Sequence, residues 1–186
     1  MTTVAKPFAP RLWLQALYTV NPPVDPATVD PLARWLILGR VSVVVMSLTS
    51  ALIGGMLAIK EDRGELRWLV QKPYNPYEPL RAALQSFPVL VQPGGELGFG
   101  AERENHVSAR RTVIGQDKRG RILFIVAPQG YFTLHQLSVY LTESDLNLDI
   151  AVNLDGGGST GILVANPREI IPPNRPLPFV ILVYAR

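Results

Sequence analysis

The run Ala151-Val152-Asn153-Leu154-Asp155-Gly156-Gly157-Gly158-Ser159-Thr160 constrains what this chain can become more than any other segment. Apolar and polar residues alternate up to Asp155, the period of a strand with one buried face, so a carboxylate is expected at a strand's end. Three consecutive glycines follow. Glycine loses more backbone freedom on ordering than any other residue, so a folded chain keeps such a triplet where tight geometry or close approach of a ligand requires it. A carboxylate, a loop without Cβ atoms and the hydroxyls of Ser159 and Thr160 suit a reaction centre for an oxygen-rich substrate.

From about Gly64 onward the pattern is that of an α+β domain: a mixed, mainly antiparallel sheet with a few packed helices. Glu65–Val70 is a strand, and the turn-rich Tyr74–Pro79 leads into a short helix over Leu80–Ser86 that Pro88 limits. Phe87–Val91 is an apolar strand ended by Gln92-Pro93-Gly94-Gly95. Arg111–Gly115 and Arg121–Val126 form a hairpin across Asp117-Lys118-Arg119-Gly120, a polar, glycine-containing turn between β-branched runs. Thr133 caps an amphipathic helix whose apolar face carries Leu134, Leu137, Val139, Tyr140 and Leu141 and which ends near Ser144. Gly161–Val164 is expected as the hairpin partner of the Asp155 strand. The proline-rich Ile171–Pro178 precedes a last strand, Phe179–Tyr184.

The first 53 residues differ in character and are expected to form a separate N-terminal segment, with the domain occupying 54–186. Pro22, Pro23, Pro26 and Pro31 crowd one stretch, a loop or linker composition. Val41–Ile59 contains no charged residue, close to the ~20 residues a membrane span needs. Its β-branched valines, diluted by Ser47, Thr49, Ser50, Gly54 and Gly55, favour buried strands instead. Leu12–Val20, with Arg11 alone before it, is short for a secretory signal. The net charge of +3 and the mixing of Glu104 and Asp117 into the Arg103–Arg121 basic cluster argue against a nucleic-acid face. No cysteine is present, which excludes disulfides and thiolate metal sites, and two histidines cannot build a multi-histidine metal centre.

Three motifs in order resemble the phosphodiester glycosidase domain family: Gln85-Ser86-Phe87-Pro88-Val89-Leu90-Val91, Ala109-Arg110-Arg111-Thr112-Val113-Ile114-Gly115, and Asn153-Leu154-Asp155-Gly156-Gly157-Gly158-Ser159, with a helix between the second and third. The resemblance runs over about residues 54–186. The upstream Asn-Gly-Gly-Phe-Phe-like motif of the family is not found; Val20-Asn21-Pro22-Pro23 stands roughly in its place. A divergent N-terminus, a different fused segment or a reading frame restored before Gly55 would each account for that. The resemblance implies a hydrolase acting on a sugar phosphodiester, carried by a small molecule or a glycan. It also implies an extracytoplasmic setting; no cofactor and no nucleic-acid partner are expected.

Carried onto these residues, the resemblance assigns Arg111 to the phosphate, because a guanidinium offers forked donors to phosphate oxygens; without the resemblance Arg111 reads first as a strand-edge arginine on the surface. Arg110 alternates to the opposite strand face, so the motif register selects Arg111, with Thr112 beside it. Gly156, Gly157 and Gly158 would turn amides toward phosphate or sugar oxygens, or simply form a tight turn. Asp155 is the catalytic carboxylate or an Asx-turn residue, and Asn153, two residues earlier, is expected to reach the same pocket. Ser159 would bind a substrate oxygen, since neither His106 nor His135 provides a base for a nucleophilic serine. His106 is a pocket-rim acid or a solvated loop residue, and His135 a surface helix residue. Among Glu143, Asp145 and Asp149, the last has the best claim to be a second carboxylate. A non-catalytic carbohydrate-binding domain of the same fold, or a membrane-tethered form using Val41–Ile59, is the alternative.

Overall fold

Short β-branched runs separated by glycine and proline turns build a sheet-rich domain because none is long enough to stand alone and each finds its hydrogen bonds on a neighbour. The computed structural model describes residues 53–177 and 180–184, which fall in one unit spanning Leu52–Arg186. In chain order the elements are β1 (Gly55–Ile59), β2 (Gly64–Trp68), β3 (Ala82–Ser86), β4 (Val89–Gln92), β5 (Glu96–Leu97), β6 (Ala109–Asp117), β7 (Ile122–Phe132), a helix α1 (Leu134–Glu143), β8 (Leu148–Asn153), β9 (Ile162–Val164) and β10 (Glu169–Ile171). They form a three-stranded sheet in the order β2-β1-β3, a five-stranded sheet in the order β5-β4-β8-β6-β7, and the β9–β10 hairpin. Every pairing is antiparallel. The domain is therefore mainly β, and the expected mixed sheet with several helices reduces, among the described residues, to antiparallel sheets with one complete α-helix.

The five-stranded sheet is buried on both faces. Val113 on β6 and Ala151 on β8 face α1 and pack with Leu90, Val91, Leu137 and Leu141. Their neighbours Ile114, Ile150 and Val152 point the other way, to Leu57 and Leu66 of the small sheet. The sheets meet closely at Gly55, where an added Cβ would stand 2.1 Å from Val152 Cγ2. Gln116 ties them together: its Oε1 accepts from Leu66 N–H at 3.0 Å and its Nε2 donates to Gly120 O at 3.1 Å.

Local chemistry explains the elements that form as expected. Thr133 Oγ1 accepts from Gln136 N–H and Gln136 Oε1 accepts from Thr133 N–H, a reciprocal capping box that starts α1. Asp117 accepts from the amides of Arg119 and Arg121 and pairs with the Arg121 guanidinium, while Gly120 takes φ +83° to close the β6–β7 turn.

Four expectations need correction or fall outside the described residues. Leu80–Ser86 is not a helix; β3 pairs with β1 along its whole length, from Ala82 opposite Ile59 to Ser86 opposite Gly55. A seven-residue helix is too short to hold itself, so a complete ladder partner outweighs the helix-forming alanines and leucine. Gly161–Val164 does not pair with the Asp155 strand, because β8 is flanked on both sides by β4 and β6 and has no free edge; Ile162–Val164 turns back on Glu169–Ile171 instead. Val180–Tyr184 are exposed and make no strand. Of the uncharged Val41–Ile59 run, Gly55–Ile59 is the buried strand β1, and no described helix is long and apolar enough to cross a membrane. Residues 41–52, and the signal and linker features before them, lie outside the described residues, as does Phe179.

Candidate active site at the glycine loop

β8 ends at Asn153, held from one side by the Ser86–Pro88 segment: its N–H donates to Pro88 O and its C=O accepts from Ser86 Oγ. Leu154 N–H still bonds Thr112 O at 2.8 Å, and the chain then leaves the sheet. Asp155 is exposed, and its Oδ1 accepts from Gly156 N–H at 2.9 Å. Because the strand has already ended, alternation does not extend to Asp155, and sharing a face with Asn153 does not follow from spacing. Gly156 lies on the β6 backbone, where a Cβ would stand 2.8 Å from Arg110 O and 3.8 Å from Arg111 Cα. Only glycine fits there. Gly157 takes φ +60° with open space beside it, and Gly157–Ser159 closes as a 3-10 turn with Ser159 N–H bonded to Gly156 O.

The proline-rich segment folds back onto this loop. Asn174 N–H donates to Gly158 O at 2.8 Å. Arg175 Nε donates to Ser159 Oγ at 2.8 Å, and its Nη2 lies 3.5 Å from Asp155 Oδ2. Arg110 fastens the segment from the sheet side, donating from Nη1 to Asn174 Oδ1 at 2.8 Å and from Nη2 to Pro172 O at 2.9 Å.

Arg111 occupies the helix-facing side of β6, two positions before Val113, which pairs with Asn153. Its Nε donates to Phe132 O at 3.3 Å and its Nη2 to Val107 O at 2.8 Å. Burial lowers its pKa from the ordinary arginine value, opposed by the charge of Glu104. Glu104 is itself held below the usual carboxylate range: burial works against ionisation, but the Thr133 hydroxyl and the amides of His135, His106 and Asn105 outweigh it. Its carboxylate thus joins the Ala101–Val107 loop to the start of α1. His106 sits in that loop at φ 58°, and His135 places Nδ1 2.9 Å from Phe99 O.

Several oxygens near the end of β8 are buried without a partner: Asn153 Oδ1, Thr112 Oγ1 and Thr160 Oγ1, together with Arg110 Nε. Asn153 Nδ2 is committed to Leu154 O at 2.8 Å. Asp149 accepts from Gly94 N–H at the opposite end of β8, far along the strand from the loop. Among the described residues no three histidine, aspartate or glutamate side chains cluster as metal ligands do.

A model of the phosphodiester glycosidase family matches residues 40–184 of this sequence. The chain belongs to that family. No curated protein matches it. Among solved structures it is similar to the catalytic domain of zebrafish N-acetylglucosamine-1-phosphodiester alpha-N-acetylglucosaminidase auto-inhibited by its pro-peptide, at 25% identity and a TM-score of 0.46, covering 59% of this chain and 41% of that one. It is also similar to a hypothetical protein from Synechocystis at 14% identity and a TM-score of 0.35, covering 59% of this chain and 29% of the other. The chain thus spans less than half the length of either.

Within this phosphodiester glycosidase domain, the structure gathers Asp155, Gly156, Gly157, Gly158 and Ser159 with Arg175 and Arg110. Arg111 and Asn153 lie on the helix-facing side of the same sheet end. Arg175 escaped sequence reasoning because prolines on all sides make its segment look like a linker. The signal available was its charge, the only one in Ile171–Pro178.

Proposed function

We propose that this domain is a phosphodiester glycosidase-like hydrolase that cleaves the bond between the anomeric carbon of a sugar and a phosphodiester oxygen. Its support is the placement of the Asp155–Ser159 loop directly on the backbone of Arg110 and Arg111, which brings carboxylate, hydroxyl and guanidinium groups to one end of a buried sheet. In this reading the domain begins between residue 40, where the family match starts, and residue 54, where the resemblance begins.

In this reading Arg111 keeps Nη1 for a phosphate oxygen after giving Nε and Nη2 to carbonyls. Asn153, on the face of Arg111, and Thr112, on the opposite face of β6, each offer a buried oxygen whose missing partner costs about 1–3 kcal/mol, a deficit that a substrate hydroxyl at the sheet end would remove. The Gly157 and Gly158 amides, unbonded among the described residues, and Ser159 Oγ complete the contacts. Water attacks the anomeric carbon, the carbon–oxygen bond breaks, and the phosphate departs with the electron pair. Asp155 takes the water's proton and stabilises the positive charge that develops on the sugar. A phosphate monoester, with a second pKa of about 6, leaves as an anion without strong acid help at neutral pH. One carboxylate therefore suffices, and Asp155 is the only acidic residue of the loop.

A non-catalytic carbohydrate-binding domain is the second reading, favoured by the pairing of Asp155 with Arg175 and by the absent Asn-Gly-Gly-aromatic motif. Release of phosphate monoester from a sugar phosphodiester by the full chain decides between them. Asp155→Asn is expected to lower turnover about a hundredfold or more, and Arg111→Ala to raise KM. Turnover indifferent to both substitutions would rule out this site; saturable sugar binding without turnover selects the second reading.

A further inference from the structure

We propose that Arg175 is a specificity-determining residue of this site, selecting anionic phosphodiesters over neutral glycosides by turning its guanidinium from Asp155 to a phosphoryl oxygen. The inference rests on the hydrolase reading above and adds to it a residue that none of the three motifs contains.

Its placement is over-determined. Asn174 N–H on Gly158 O fixes the backbone one residue before Arg175, and the two bonds from Arg110 hold Asn174 and Pro172. The prolines at 172, 173 and 176 stiffen the segment on either side. The stem lies on the loop, with Cδ 3.3 Å from where a Cβ on Gly158 would stand, so any larger residue at 158 would displace it. The segment is built to hold a guanidinium over the glycine loop.

The head is less committed than the stem. Nε is anchored on Ser159 Oγ, whereas Nη2 is 3.5 Å from Asp155 Oδ2 with both side chains more than half exposed. An exposed ion pair of that length is weak and exchanges readily for a better-placed anion. A phosphodiester oxygen offers the guanidinium a forked acceptor, and Nη1 is unpartnered among the described residues. Transfer of the fork to phosphate also releases the Asp155 carboxylate at the moment the anomeric carbon arrives. A neutral leaving group offers no such exchange, leaving Asp155 paired.

The test compares the wild-type full chain with Arg175→Ala and Arg175→Lys, on a sugar phosphodiester and on the matching neutral aryl glycoside. Binding of inorganic phosphate is followed separately by calorimetry. Arg175→Ala is expected to raise KM for the phosphodiester at least tenfold with a smaller change in kcat, and to weaken phosphate binding by a similar factor. Arg175→Lys should recover part of both, because charge is kept and the fork lost. Any hydrolysis of the neutral glycoside should not fall. Wild-type turnover with KM and phosphate binding unchanged by Arg175→Ala overturns this inference and leaves the hydrolase reading standing. Phosphate binding that depends on Arg175, without turnover of either substrate, removes the hydrolase reading alone. If Arg175→Ala does not fold, as judged by circular dichroism, Arg175→Lys and Arg175→Gln carry the comparison. Absence of both turnover and phosphate binding in the wild type overturns both.

Discussion

Two charged regions of this domain are built on opposite plans. Beside β2, Arg67 is only 3% exposed and forks onto Glu78 through two bonds of 2.6 Å, with a third to Glu65 at 3.0 Å. Lys60 bridges Glu65 and Glu78, and Lys72 pairs with Glu65. Arg67 Nε alone goes without a partner. The Arg67 guanidinium first, then Lys60, hold Glu78 at a pKa of about 2. Burial would raise Glu65, but bonds from Lys72 and Arg67 bring it to about 2 as well. At the glycine loop the charges are exposed, the ion pair is long, and oxygens are left buried without partners. Saturated charge fixes a scaffold, whereas the unmet bonding capacity at the other region is what a ligand would fill under the hydrolase reading proposed above.

Arg67→Met attacks the scaffold side and is expected to have the largest effect on stability. It removes the buried guanidinium between two carboxylates and leaves them only the more exposed Lys60 and Lys72, a loss of about 3 kcal/mol that urea unfolding at pH 7 would read. Turnover per folded molecule should be unchanged. The same variant tests the pH dependence. Both glutamates have folded pKa values of about 2, below the ordinary 4.5, so the unfolded chain binds more protons between those values. Wild-type stability should hold above about pH 4.5 and fall as the pH drops toward 2, and Arg67→Met should flatten that limb. An unaltered acid limb would dissolve the contrast between the regions.

Gly156→Ala addresses the loop side. Its new Cβ would meet Arg110 O at 2.8 Å, so the loop must lift from β6. The expected cost is about 2 kcal/mol of stability, with a loss of phosphodiester turnover far beyond what the unfolded fraction explains. Equal losses of both would make Gly156 a folding residue only. Thr112→Val is the mildest and most pointed change, because it removes a buried hydroxyl that has no partner. Stability should rise by about 1 kcal/mol while KM for the phosphodiester increases. A destabilised variant would mean that Oγ1 is satisfied in the folded protein.

What could be seen in the sequence follows from range. The Thr133–Gln136 capping box and the Asp117–Gly120 turn are satisfied within a few residues, so their chemistry is visible in the string. The strand at Ala82–Ser86 is not, because its reason for being extended is β1, more than twenty residues upstream. Gly161–Val164 finds a partner other than the Asp155 strand for a topological reason: both edges of β8 are occupied, one of them by β4, which lies far away in sequence. At the site, Asp155 and the glycines announce themselves by composition. Arg175 becomes part of it only through contacts with Gly158, Ser159 and Asp155 that no spacing rule predicts.

The strand β6 carries a consequence for how this domain can change over generations. Val113 serves the core beneath α1 and Ile114 the core against the small sheet, while Gln116 links the sheets and Arg110 fastens the segment beyond β10. A one-residue insertion between Arg110 and Val113 would flip one end of β6 relative to the other, sending Val113 to the wrong core or turning Arg110 away from Asn174. Length variation is therefore barred from this strand and pushed outward, to the Asp117–Gly120 turn and the stretch ahead of Ala109, where added residues leave both cores and the glycine loop in register.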